Sequence, residues 1–458
     1  MTTFAFALLF AASVFGYAWN RQAASSLRND GQRLHSLSGF HGLYSFLCVS
    51  IPVFVLILVW LVFQGSVIDW LVTAPIAPEN YATLETGPKQ LVLAEIKSIA
   101  GGRIFGTPED WKLAAAERLI QLRTMSAWLL LAAVFALAVT QVLRARRRVD
   151  ADFRARQGAE RMILGLIQFC AIFAVFVTVG IVFSLTFETI KFFRMVPPLE
   201  FLFGLNWEPQ IPIRADQIAG AGAFGWLPVI VGTMVITVIA ILVAVPTGLL
   251  TAIYLNEFAS SRARAIIKPI LEILSGIPTI VYGFFAVLVV APAMRQFGAD
   301  LGIAISPNTA LAAGSVMGVM LIPFISSFAD DALSAVPQSL RDGALALGAT
   351  RGETMLSVLF PAAIPGIVGG VLLAVSRAIG ETMIVVMAAG LIANMTLNPL
   401  DSVTTVTVQI VTLLIGDTSF DNPKTLAAFA LGMMLFLVTL VINIFALRIV
   451  RKYREIYD

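Results

Sequence analysis

The chain has 458 residues, 58% of them hydrophobic and 13% charged, with a formal net charge of +3 and a mean hydropathy of +0.88. Ordinary soluble domains carry roughly 25% charged residues, so this composition excludes a soluble globular or disordered chain and points to repeated membrane crossing. Two cysteines, both inside apolar stretches (Cys48 and Cys170), and two histidines in a short polar segment (His35 and His41) argue against a disulfide framework or a metal site.

Residues 3–19 form the first apolar run. No basic residue precedes it, whereas Arg21, Arg28 and Arg33 follow. That order is the reverse of a cleaved secretory signal, so an uncleaved helix with its N-terminus outside is expected. A second span covers 43–63 and contains Pro52. The polar segment 64–125 reads as a folded extracytoplasmic loop without chemistry of its own. Near its end, Thr107, Pro108, Glu109 and Asp110 are a helix start, because a capping oxygen, a first-turn proline and early acids all suit the positive end of the dipole. This helix is expected to run on as a third span over 126–143.

Seven arginines then fall between Arg144 and Arg161. Beside membrane helices such a run marks cytoplasmic placement with lipid headgroups nearby, and nucleic acid is not the expected partner. The run separates an N-terminal extension, 1–160, from a main domain, 161–458. Six further spans are expected at 162–187, 226–255, 269–292, 305–328, 362–391 and 425–449. The fold class is therefore all-α, a polytopic helical membrane protein. Pro246 with Gly248 and Gly276 with Pro278 interrupt two of these spans, which calls for packed neighbours to re-satisfy freed backbone groups. Gly366, Gly369 and Gly370 would allow close helix approach. With the C-terminus inside, the cytoplasmic segments hold 19 Lys and Arg against 11 outside, 6 of the latter in the single long loop.

Two stretches carry the chemistry. The first, 341–361, is a polar cytoplasmic segment in which Gly343, Ala344, Ala346, Gly348, Ala349 and Gly352 leave almost no side-chain bulk. It reads either as an ordinary interhelical loop or as a helix that another protein grips at close backbone range. The second holds Arg377 and Glu381, near the middle of the span expected over 362–391. A charge at the bilayer centre costs roughly 2.5–3.5 kcal/mol on insertion scales, so such residues are kept for a reason. On a continuous helix the spacing of four places both on one face within pairing reach. The pair reads either as an anion path, since an arginine fork suits a tetrahedral oxyanion, or as a stitch between helices.

The first stretch resembles the EAA loop of ABC-importer permeases. Asp342, Gly343 and Ala344 stand where that family has Glu-Ala-Ala, Gly348 falls at its glycine, and Val358 to Pro361 stand at its Ile-x-Leu-Pro. The resemblance implies a type I permease core of six membrane helices, here with about three extra N-terminal ones. It also implies a coupling helix seated on an ATPase. The chain has no G-x-x-x-x-G-K-[ST] phosphate loop, so it is expected to be a transport subunit, not an enzyme, with no cofactor of its own and with ATP held by the partner. The second stretch, SRAIGETM, resembles the signature of the PstC-type permease of the phosphate-specific importer. NWEP at 206–209, the run 227–248 and SGIPTIVYG at 275–283 agree with it. This resemblance covers 162–458 and leaves 1–160 outside it. It implies a bacterial inner-membrane importer of inorganic phosphate, with Ser376, Arg377, Glu381 and Thr382 on the substrate path. Its expected partners are a PstA-type permease, a PstB-type ATPase dimer and a PstS-type binding protein. The PstA position or another oxyanion is the nearest alternative, and an ion-driven secondary phosphate transporter or a regulatory membrane protein is further away.

Overall fold

A computed structural model describes residues 2–29, 31–73, 81, 86–103, 108–210, 222–415 and 422–454. Among these, nine helices are long and apolar enough to cross a membrane. They belong to two compact units, Met1–Phe176 and Val177–Asp458, and the division falls inside one helix, Ala155–Met195.

The first unit is built from α1 (Thr2–Asn29), α2 (Ser38–Thr73), α3 (Thr86–Ala100) and α4 (Asp110–Arg147). Ala5, Val49, Val53, Ile57, Leu130, Val134, Ala138 and Val142 form its buried seam, so the first apolar run is an integral helix of the bundle. A smaller cluster, including Ile68, Ile96, Ala115 and Leu119, fixes α3 against α2 and α4. Helix α2 passes through Pro52 unbroken and begins at Ser38. His41 is therefore a buried helical residue, not part of a solvated loop. The expected cap at Thr107 lies outside the described residues. The helix observed there begins at Asp110, with Glu109 extended at the cap position and its carboxylate turned to the indole N–H of Trp111.

The chain enters the second unit along α5 (Ala155–Met195), whose most apolar window has no buried residue. After α6 (Pro198–Phe203), two short strands, β1 (Trp207–Glu208) and β2 (Ala223–Phe224), pair antiparallel with Trp207 opposite Phe224. Next come α7 (Leu227–Phe258), α8 (Ser261–Ser275), α9 (Thr279–Asp300) and α10 (Ala310–Ser334). They are followed by α11 (Gln338–Ala346), α12 (Arg351–Ile379), α13 (Met383–Ala388), α14 (Val406–Leu414) and α15 (Pro423–Arg454). The core lies between α7, α9, α10, α12 and α13, around Ile236, Ala240, Met317, Leu321 and Ala374. Gly366 and Gly370 let α12 ride on α10, where added Cβ atoms would come within 2.7 Å of Ala332 and 2.6 Å of Phe328.

Two expected spans shift. The sixth is not 269–292 but Thr279–Asp300, because Gly276 ends α8 and Pro278 caps the next helix. Helix α8 is separate and amphipathic. Ile266, Ile270 and Ile273 make its exposed apolar stripe, while Arg264 and Lys268 reach the carboxylate of Asp330. The eighth span starts earlier than 362, at Arg351, and stops at Ile379 instead of 391. Pro361 thus lies inside the helix, just after a widened π turn at Met355–Leu359, and does not mark its start.

Candidate functional site

The site is organised by the break after α12. Gly380 ends the helix, and the Glu381 carboxylate then accepts from the main-chain N–H groups of Met383 (3.0 Å) and Ile384 (3.5 Å). Those are the orphan donors at the start of α13, so the carboxylate serves the next helix and not the previous one. The expected Arg377–Glu381 ion pair is accordingly not formed: the spacing of four brings side chains together only on an unbroken helix. Among the described residues Arg377 has no ion pair, and its guanidinium lies 5.9 Å from the centre of the Phe324 ring. The side chain is exposed in the isolated chain, on the last turn of α12. An exposed guanidinium over an aromatic face, with no ion pair among the described residues, is free to bind an oxyanion through its planar fork.

The flanking residues are placed by short polar contacts. Ser376 Oγ donates to Asn443 Oδ1 on α15 at 2.9 Å. Thr382 Oγ1 reaches back to the Gly380 carbonyl at 3.5 Å. The carbonyl of Glu381 accepts from Thr407 Oγ1 on α14 at 2.8 Å, and Thr407 in turn contacts Thr405 Oγ1 at 3.0 Å. The site is thus made by α12, α13 and α14, two of them helices too short to span a membrane. Broken helices of this kind place free helix ends and polar backbone at depth.

A second polar node, which sequence reasoning missed, pins this broken region to the strand pair. Gln409 is buried on α14, accepts from the indole N–H of Trp207 (2.8 Å) and donates to the Leu391 carbonyl (2.7 Å) and to Thr404 Oγ1 (3.1 Å). Thr233 on α7 holds the first turn of α14 by accepting from the Val406 N–H at 3.1 Å. The available signal was the group of polar residues Thr404, Thr405, Thr407 and Gln409 inside an apolar region, together with NWEP.

The segment 341–361 occupies the other pole of α12. Helix α11 buries none of its residues, and Leu347, just beyond it, is 92% exposed. Gly348 has φ +91°, the left-handed region that favours glycine, and nothing lies near its missing Cβ. Thr350 and Glu353 form a reciprocal capping box that opens α12, with Glu353 Oε2 accepting from the Thr350 N–H at 2.8 Å. Asp342, Gly343 and Ala344 therefore sit on a surface helix set off by a tight turn. Pro361 lies apart from them, inside α12.

A bundle of apolar helices with one broken span, an exposed arginine on the last turn of a membrane-length helix and a bare surface helix at one pole is a multi-pass membrane transport component. Residues 244–455 match the family model described as "Binding-protein-dependent transport system inner membrane component", and residues 6–177 match that described as "Phosphate ATP-binding cassette transporter". The chain is 34% identical over 272 residues (59% of this chain, 84% of the relative) to a probable ABC transporter permease protein, YqgH, of Bacillus subtilis. It is 30% identical over 279 residues (56% and 80%) to the phosphate transport system permease protein PstC of Xylella fastidiosa. A PstC 1 protein of Mycobacterium tuberculosis is 32% identical over 279 residues (56% and 82%). The chain belongs to the PstC-type permease family of ABC importers. It is a multi-pass inner-membrane protein, and the N-terminal unit, left unassigned by sequence motifs, is a recognised domain within this class.

Proposed function

We propose that this chain is a permease subunit that moves inorganic phosphate inward at the expense of ATP hydrolysed by a separate ATPase. The observation that carries the reading is Arg377, exposed at a helix break and without a carboxylate partner among the described residues, in a chain whose relatives are named phosphate transport permeases. Phosphate arriving from outside meets this guanidinium, while the main chain around Glu381 and the hydroxyls of Ser376 and Thr382 line its surroundings. Glu381, occupied with the start of α13, acts by shaping the break and by limiting how long the anion stays.

The working complex on this reading pairs the chain with a PstA-type permease, an ATPase dimer of PstB type and an outer phosphate-binding protein of PstS type. ATP and its metal belong to the ATPase, and this chain contributes no cofactor. The N-terminus lies outside and the C-terminus inside, with the arginine-rich run at anionic headgroups. The helix over Asp342, Gly343 and Ala344, closed by the Gly348 turn, seats in a groove of the ATPase. Its lack of buried residues and the exposed Leu347 support that seat.

The test is uptake of labelled phosphate into proteoliposomes holding the chain with its copurified subunits. ATP-dependent uptake that sulfate does not compete away is the expected result. Uptake driven by an ion gradient in the absence of ATP would replace this reading with a secondary transporter.

A further inference from the structure

Next to the coupling helix lies a buried cluster of charges that the transport path does not use. Glu257 and Asp330 have side chains only 6% and 7% exposed. Glu257 and its neighbour Asn256 sit on a π turn, Tyr254–Phe258, which ends α7. Asp330 lies on α10 and receives Arg264 Nη2 at 3.2 Å on both oxygens, Lys268 Nζ at 3.0 Å and Asn256 Nδ2 at 3.0 Å. Asn256 Nδ2 also donates to Ser334 Oγ at 2.9 Å. One residue of α11 enters this cluster. Arg341 Nη2 stands 3.0 Å from Glu257 Oε2 and 3.3 Å from Asn256 Oδ1.

We propose that Arg341 is a positioning residue that locks the coupling helix to α7 and α10, so that motion of the ATPase is delivered to the helix beneath the substrate arginine. The proposal rests on the coupling role given to α11 above. Helix α11 buries nothing of its own and is joined by short turns at both ends, 335–337 and 347–350. Arg341 ties it to the body of the unit. One guanidinium nitrogen, Nη2, makes an ion pair with Glu257 and a hydrogen bond to Asn256 on the same π turn, and Asn256 passes the link to Asp330. On the same helix, six residues before Asp330, is Phe324, whose ring faces Arg377. Desolvated carboxylates hold their partners far more firmly than surface ones do, so the cluster behaves as one body, and loss of one cation leaves a buried charge exposed to rearrangement. The π turn fits this role, since such turns recur where helices carry function.

The experiment uses the assembled transporter in proteoliposomes, with Cys48 and Cys170 replaced by serine. Two ratios are read: phosphate moved per ATP hydrolysed, and the ATP-dependent change in maleimide labelling of Ser327→Cys on α10. Arg341→Gln is expected to keep ATPase copurification and basal hydrolysis, to lower transport per ATP about tenfold, and to flatten the labelling change. The charge swap Arg341→Glu with Glu257→Arg is expected to recover part of both. A wild-type ratio and labelling response in Arg341→Gln overturns the proposal, as does loss of ATPase copurification, which would make Arg341 a docking contact. Should Arg341→Gln not insert, Glu257→Gln carries the same expectations and the same overturning results. A wild-type protein whose labelling responds to ATP but which moves no phosphate overturns the substrate assignment alone, because the labelling arm still decides the role of Arg341.

Discussion

Thr407 Oγ1 donates to the carbonyl of Glu381 across 2.8 Å, joining the start of one short helix to the break before another. The residue with the negative charge is therefore held at its backbone by α14 while its carboxylate holds the first N–H groups of α13. Removing the charge and removing the acceptor are thus separable changes.

Glu381→Gln keeps an acceptor oxygen for Met383 and Ile384, so the variant should fold and assemble with a wild-type melting temperature. Glu381→Leu removes the acceptor and should cost about 1 kcal/mol of stability, in the range of other lost caps. Transport in the two variants then separates charge from shape. Uptake lost equally in both, with only the leucine variant destabilised, assigns the function to the charge. Full uptake in Glu381→Gln would leave the carboxylate a purely structural cap.

Arg377→Gln leaves no carboxylate unpaired, so the protein should insert and copurify with its partners normally. Its uptake should fall at least about tenfold, equivalent to roughly 1.4 kcal/mol of lost anion stabilisation. Arg377→Lys retains the charge without the fork. Partial uptake there would mean that charge dominates, and none would mean that geometry does. Undiminished uptake by Arg377→Gln would remove the residue from the substrate path.

Two glycines of the proposed coupling segment should behave differently. At Gly343 an added Cβ meets nothing within 4 Å among the described residues, so Gly343→Leu should leave the isolated subunit as stable as wild type and weaken ATPase copurification. Gly348→Ala adds little bulk but forces a φ of +91°, costing about 1–2 kcal/mol in the turn itself. Thermal unfolding of each subunit, compared with its pull-down of the ATPase, distinguishes the two. Normal copurification of Gly343→Leu would speak against a close helix-in-groove seat.

Gln409→Leu strands the indole N–H of Trp207 in a buried setting and removes the donor to the Leu391 carbonyl. Each unmade bond costs about 1–3 kcal/mol, so the melting temperature should drop measurably. Because Trp207 belongs to the strand pair and Gln409 to the broken region, uptake should fall as well. A variant that is destabilised yet transports normally would confine Gln409 to a structural role.

The membrane spans were legible in the sequence because hydropathy summed over some 20 residues is a strong signal that local detail does not erase. The same summation hid the breaks. A window placed over 362–391 averages across Gly380 and Glu381, and it is the competition of the Glu381 carboxylate for nearby N–H groups that ends the helix there. The supposed ion pair failed with the helix it assumed. Arg377 stood out by its type, an arginine within an apolar run, but its expected place at the middle of a span did not hold, because the helix ends at Ile379 and leaves it on the last turn. The Trp207–Gln409 bond did not stand out, since its partners are 202 residues apart and no periodicity connects them. The Arg341–Glu257 pair was hidden for the same reason: folding alone brings those charges together.

The exposure of Leu347 has a consequence for how the cell must make this protein. If α11 seats on the ATPase as proposed, Leu347, 92% open to water, together with the exposed Leu340 and Leu345, forms a surface whose counterpart is that subunit. A copy without that counterpart presents an adhesive patch outside the bilayer, where chaperones and proteases can reach it. Orphan subunits should accordingly be short-lived, and their abundance should follow the supply of the partner, not the rate of their own synthesis.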